Sequence, residues 1–204
     1  MNNDIISIGL FIDGGYYAKV NQALEDTLQS RINVAALFSF IKEKVAQLEQ
    51  DKEKNCLITE SHFYRGRYRA HDAQKKNLLY SERRFEDSLI ENDVVFHYKH
   101  LREIEKDGKT TVIEKGVDVW FALEAYEIAL YREFDYVVLI TGDADHEMLI
   151  RKLKAIKTKP ILLTWNLTQQ NSTSRLLSDE AFEHIEISDV VETDKLILKG
   201  GSIN

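Results

Sequence analysis

Apolar residues fall along this chain in two alternating rhythms. The runs IISIGLFI (5–12), VVLIT (137–141) and PILLTW (160–165) are apolar at almost every position, the pattern of strands buried on both faces of a parallel sheet. Between such runs, apolar residues recur every three or four positions. Val34, Leu37, Phe38, Ile41, Val45 and Leu48 form one such series, which places a core-facing stripe on a helix. The spacing predicts helices over 17–29, 34–48, 72–92, 117–134, 145–158 and 174–182. Strands are expected near 57–64, 94–101 and 183–188 as well as in the three apolar runs. Asp107-Gly108 sits between two alternating arms, REIEK and KTTVIEKG, which reads as a hairpin excursion. The segment LKGGSIN (198–204) reads as a frayed tail. Strands and helices alternating at this spacing give an α/β fold with a mostly parallel, helix-covered central sheet. We read one continuous domain over 1–190 and a C-terminal tail over 191–204.

That architecture gives the acidic residues a place. In open α/β sheets, ligands bind beyond the carboxyl ends of the strands, where the strand order reverses. Asp13 ends the first strand and Asp143 follows the YVVLIT strand. If those two strands are neighbours across the reversal, their carboxylates converge, with Asp145 two residues on and Asp118 entering at the start of the VDVWFALEAY helix. Close carboxylates repel one another unless a cation offsets them, so such a cluster suits a hard divalent ion, Mg²⁺ or Mn²⁺. An ion of that kind activates water and stabilises an in-line displacement at phosphorus, which fits phosphodiester hydrolysis. Taken singly, the acids have plainer readings: Asp143 and Asp145 read equally well as caps of the helix that begins near His146, and Asp118 as a first-turn acid. The cluster carries meaning when its members meet in space.

Composition narrows the setting. The chain has 204 residues, 44% hydrophobic and 30% charged, with a single proline, so it is long enough for a sizeable core and has no low-complexity tract. No apolar run approaches the roughly eighteen residues that span a bilayer, and Asp4 rather than a basic segment precedes IISIGLFI, so neither a membrane segment nor a signal peptide is expected. A single cysteine, Cys56, has no internal disulfide partner, which suits a reducing compartment, the cytoplasm. The net charge of −7 argues against a generally nucleic-acid-coating surface, yet YRGRYRAHDAQKK (64–76) concentrates Arg65, Arg67, Arg69, Lys75 and Lys76 against one acid, Asp72, with Tyr64 and Tyr68 interleaved. Arginine forks and tyrosine faces are suited to single-stranded RNA, although a basic run alone is also how a solvated helix face reads. His62, His71, His97, His100 and His184 show no metal-ligand spacing and read as surface or structural residues, and Glu60, Asp93 and Glu114 could each supply a further carboxylate but read more readily as solvated acids.

The stretches FIDGGYYAK, KGVDVWFALEAYEIAL and YVVLITGDADHEML together resemble the three signature blocks of NYN domains, in the LabA-like branch of the PIN-like nuclease superfamily. The likeness runs from about residue 6 to about 187. It implies a three-layer α/β/α PIN-like fold and metal-dependent ribonuclease activity with Mg²⁺ or Mn²⁺. Position by position, it carries the family's acidic metal site to Asp13, Asp118, Asp143 and Asp145, and its block lysine to Lys115. Tyr16 stands where the family usually has asparagine, and His146 where it usually has an aromatic residue. Tyr16 would replace the amide's hydrogen bond with its hydroxyl or stack on a base. Thr141 is a candidate to contact phosphate or only to shape the turn, and His146 to contact substrate or act as a proton donor.

Three functions remain open. The first is a ribonuclease whose acids hold the metal and whose arginine patch, with Arg65, Arg67, Arg69 and Lys75, guides RNA. The second is a catalytically silent RNA-binding or regulatory module on the same fold. A small-molecule phosphohydrolase with Asp13 as nucleophile is disfavoured, because the first strand ends in one aspartate without a second acid two residues later. The sequence leaves a homodimer open.

Overall fold

The computed structural model describes residues 5–50, 55–106, 109–166, 175–189 and 196–199. Its centre is β1 (Ile6–Asp13), whose residues are apolar on both faces because both faces are covered. After α1 (Gly14–Leu28), β2 (Ser30–Ile32) and α2 (Val34–Glu49), the chain lays β3 (Cys56–Arg67) beside β1. It then runs through α3 (Ala70–Lys75) and α4 (Leu79–Ile90) to β4 (Val94–His100) at the sheet edge. A two-stranded arm comes next, β5 (Arg102–Lys106) and β6 (Lys109–Ile113), before α5 (Val117–Arg132) carries the chain back across the sheet. There β7 (Tyr136–Ile140) pairs with the free side of β1. The sheet is completed by α6 (Glu147–Ala155), β8 (Lys159–Thr164), α7 (Arg175–Glu180) and β9 (Glu183–Glu186).

The strand order is β4-β3-β1-β7-β8-β9, and all neighbouring pairs run parallel. The reversal falls between β1 and β7, in the register Phe11 to Leu139 and Ile12 to Ile140. Successive β1 side chains serve opposite layers. Ile8, Leu10 and Ile12 pack with Tyr17, Val20, Leu37 and Ile41 of α1 and α2. Phe11 joins Phe121 and Ala125 of α5, Leu149, Ile150 and Leu153 of α6, and Leu177 of α7. Helices thus cover both faces, giving the expected three-layer α/β/α arrangement. Among the described residues, no helix is long and apolar enough to cross a membrane.

Four elements differ from the sequence expectation. The first helix starts at Gly14 rather than near Tyr17, because the Asp13 carboxylate caps it. The helix expected over 72–92 breaks into α3 and α4 around Asn77, which adopts a left-handed backbone (φ 57°) that asparagine tolerates. The short β2 was not expected at all. It pairs antiparallel with β10 (Ile197–Lys199), so the start of the expected tail is a strand, anchored by buried Leu196 and by the Asn33 N–H donating to the Leu196 carbonyl at 2.7 Å. The arms of the predicted hairpin pair from Arg102–Ile113 to Lys106–Lys109, while its Asp107-Gly108 turn, the domain boundary near 190 and residues 200–204 lie outside the described residues.

Candidate active site

Three strand ends and one helix start build the site. Asp13 lies at the carboxyl end of β1, level with Tyr64 of β3. One of its oxygens, Oδ1, accepts from the N–H groups of Gly15 (2.9 Å) and Tyr16 (3.1 Å) in the first turn of α1. The other, Oδ2, accepts from the Thr141 hydroxyl at 3.2 Å, just beyond β7. The Thr141 oxygen lies 2.9 Å from His146 Nδ1 and also accepts from the Asp143 N–H at 3.3 Å. Asp143 in turn accepts from the Asp145 N–H at 3.0 Å, which winds 144–146 into a 3-10 turn ahead of α6. The apolar strands thus fix Asp13 and Thr141 rigidly, and the turn chemistry of Gly-Asp-Ala-Asp sets the path of the chain from β7 into α6.

A cleft of about 660 Å³ opens at this end of the sheet, lined by Asp13, Gly15, Tyr16, Lys19, Glu114, Asp118, Gly142 and Asp143. Asp118 reaches it from the first turn of α5. Glu114 reaches it from the arm: after β6 the chain folds back, and Glu114 Oε2 accepts from the Gly66 N–H of β3 at 2.8 Å. Gly66 has no room for a β-carbon against that carboxylate. Gly116 (φ +72°) supplies the left-handed backbone that turns the returning chain into α5. Burial pushes the Asp13 carboxyl above its ordinary range, and the negative charge of Asp118 adds to this, against the Tyr16 N–H and the Thr141 hydroxyl. Burial likewise raises Glu114, opposed by the Gly66 N–H and reinforced by the charges of Asp13 and Asp118. Burial and mutual repulsion thus both weigh against the charged forms of these two acids.

The family profile of the NYN domain matches residues 7–188. The chain belongs to the NYN domain family. This places it in the PIN-like nuclease superfamily, in agreement with the parallel sheet and its acids at the reversal point. The fold is also similar to that of a protein of unknown function from Vibrio parahaemolyticus solved by crystallography. That likeness has a TM-score of 0.63 at 18% identity, covering 97% of this chain and 99% of the other. No curated protein matches the chain.

Within this NYN domain the sequence-derived acids divide. Asp13, Asp118 and Asp143 share the cleft, whereas Asp145 is not among the lining residues. In the 3-10 turn the Asp145 backbone N–H donates to the Asp143 carboxylate, and both residues are exposed. Glu114, one of three acids that could supply a further carboxylate although each reads more readily as solvated, lines the cleft as well. Nothing local set it above Glu60 and Asp93, because its position depends on the arm folding back onto β3. Lys19 was missed, although it stands four residues after Gly15 on α1 and so shares its face, a spacing visible in FIDGGYYAK. Carboxylate oxygens are the donors that Mg²⁺ and Mn²⁺ prefer, so the cleft's chemistry fits such an ion. Among the described residues, no three His, Cys, Asp or Glu side chains already converge as a metal cluster.

The expected substrate contacts also need correction. His146 is 1% exposed beneath the Phe121 ring, at 4.7 Å between centroids, and so cannot touch a ligand in the cleft. Thr141 is fully buried and bonds Asp13 rather than presenting its hydroxyl to phosphate. Tyr16 lines the cleft but is mostly buried. Its hydroxyl donates to the Trp165 carbonyl (3.2 Å) and accepts from the Trp165 N–H (2.9 Å), so it is committed to the scaffold. Lys115 is exposed outside the lining.

The basic stretch does lie at the acids' end of the sheet, but it is not a uniform patch. Arg67 pairs with Glu86 at 3.2 Å and stacks on Tyr98, Lys76 pairs with Glu103, and Tyr64 is buried against His97. Arg65 is half-buried near Glu114, whose carboxyl it helps to keep ionised, and Arg69 and Lys75 are exposed at the two ends of α3. Of the other histidines, His62 and His97 meet each other. Their facing nitrogens are 3.0 Å apart, with Glu124 Oε2 3.0 Å from His97 Nδ1, Glu60 Oε2 3.3 Å from His62 Nε2, and Arg132 closing on Glu60 at 2.6 Å.

Proposed function

We propose that this NYN domain is a metal-dependent ribonuclease of the LabA-like branch, working at the cleft between β1, β7 and α5. The reading rests chiefly on Asp13, Asp118, Asp143 and Glu114 lining one cleft with no cation paired to them among the described contacts. Mg²⁺ or Mn²⁺ held by these carboxylates supplies an activated water and charge neutralisation for hydrolysis of the RNA phosphodiester bond. Asp13 is the fixed member, since backbone and hydroxyl donors hold it at a strand end. Asp118 and Asp143 approach from independent elements, and Asp145 is not among the lining residues. Lys19 in the cleft and Arg65 beside it balance the charge of the phosphate, and exposed Arg69, Lys75 and Lys115 guide a single strand toward it by long-range attraction. A buried Cys56, the single cysteine of the sequence, suits the reducing cytoplasm.

The alternative is a silent RNA-binding module. One observation favours it: the Tyr16 hydroxyl is spent on Trp165, so it does not replace the polar group that the family's asparagine presents at this position. The deciding experiment is cleavage of end-labelled single-stranded RNA with Mn²⁺, with Mg²⁺ and with EDTA, for wild type and Asp143→Asn. Metal-dependent cutting that the substitution lowers by about a thousandfold or more supports the nuclease. Equal behaviour of the two proteins, with RNA still bound, overturns it in favour of the module.

A further inference from the structure

We infer that His146 is a positioning residue that acts through the Thr141 hydroxyl, leaving Asp13 a single open acceptor position, on Oδ2. Hydrogen bookkeeping carries this. Thr141 has one hydroxyl proton, and it is donated to Asp13 Oδ2. His146 Nδ1, 2.9 Å from the same hydroxyl oxygen, must then carry the proton of that contact. The remaining nitrogen, Nε2, is buried and has no hydrogen-bond partner among the described residues. A protonated Nε2 would bury an unmatched N–H beside the Phe121 ring, whereas a bare Nε2 leaves an unused lone pair, the smaller loss. His146 is thus the neutral, Nδ1-protonated tautomer, and its N–H keeps the Thr141 proton turned toward Asp13.

The consequence falls on Asp13. Its Oδ1 accepts two backbone N–H groups and is saturated, and Oδ2 accepts one hydroxyl, so one acceptor position remains among the described contacts. Resting on the metal reading above, Oδ2 is the oxygen through which Asp13 would hold an ion. The relay also makes His146, although buried, a determinant of cation affinity in the way that outer groups orient metal ligands.

Two measurements test it. Long-range ¹H–¹⁵N correlation spectra of the histidine rings, with His146 assigned by its loss in His146→Phe, should show the Nδ1–H tautomer at neutral pH. An Nε2–H tautomer overturns the inference whether or not any metal binds. Mn²⁺ titration followed by electron paramagnetic resonance supplies the second. His146→Phe keeps a ring in the pocket but loses the donor, and should weaken Mn²⁺ binding about tenfold. His146→Asn restores an N–H near the Nδ1 position and should stay within about threefold of wild type. Thr141→Val should match His146→Phe, and the double variant should be no weaker than either, because both break one relay. Wild-type affinity in His146→Phe, or losses that add in the double variant, overturns the relay. If the wild type itself takes up no Mn²⁺, the nuclease reading falls, and the tautomer alone decides the hydrogen-bond assignment.

Discussion

Two groups of ionisable side chains flank the same helix, α5, and they are built on opposite principles. In the Glu60–His62–His97–Glu124 group, each acid meets a histidine nitrogen and Glu60 also meets Arg132, so each polar group has a partner. In the cleft, Asp13, Asp118, Asp143 and Glu114 gather with backbone and hydroxyl donors but no matching cation among the described contacts, and two of the four are pushed toward their neutral forms. A matched set holds β3, β4 and α5 together. An unmatched set costs stability and is retained where something else completes it. The difference separates a structural cluster from a functional one more surely than residue type does, since both contain acids and both draw one from α5.

The sharpest way to break this comparison is to ask which acid is the fourth. Glu114→Gln should lower kcat/KM for RNA by about a hundredfold, and Asp145→Asn by less than about threefold, measured at saturating Mn²⁺. A larger loss in Asp145→Asn would mean that the 3-10 turn rearranges around the ion and that Glu114 is a scaffold residue. Next in size is the matched cluster. His97→Phe strands His62 and Glu124 without their partner and should cost about 2 kcal/mol in urea unfolding, while Mn²⁺ affinity stays at the wild-type value. A loss of Mn²⁺ affinity in that variant would join the two clusters.

The smallest effect is in pH, where the two regions have opposite signs. Burial lowers the pKa of both His62 and His97, so the unfolded chain binds protons that the folded one resists. Their contribution is complete above the ordinary histidine value of about 6.5 and is lost as the pH falls toward the lowered values. Asp13 and Glu114 are raised, so their contribution is complete below the ordinary carboxylate range and is lost as the pH rises through their raised values. Urea midpoints measured against pH should therefore gain from Mn²⁺ above the carboxylate range and gain little below it. A gain independent of pH would place the ion elsewhere.

The sheet was legible because strands buried on both faces leave continuous apolar runs, and Asp13 and Asp143 were legible because strand ends at a reversal point have a fixed place. The residues that escaped were placed by chain direction rather than by composition. Glu114 depends on an arm folding back onto Gly66. Asp145 stays close to Asp143 through the 3-10 turn but is not among the residues lining the cleft. The basic stretch read as one patch, but β3 is a strand, and strand alternation sends Tyr64 into the α5 core while Arg65 and Arg67 face the other layer, where Glu86 and Tyr98 wait for Arg67. His146 looked available because it adjoined the acids, yet its ring fills a core position that an aromatic residue would also fill.

The small antiparallel pair of β2 and β10 bears on how the chain reaches this state. It joins Ile32 to Ile197, so the layer holding α1 and α2 is sealed by residues from the far end of the sequence. Contacts this distant form late in folding, because the loop between them must be closed first. The Asp13 cap and the helix it starts should therefore acquire full protection from hydrogen exchange only after β10 has docked, and an early-folding β1–β3–β7 sheet would carry its acids before that layer is locked in place.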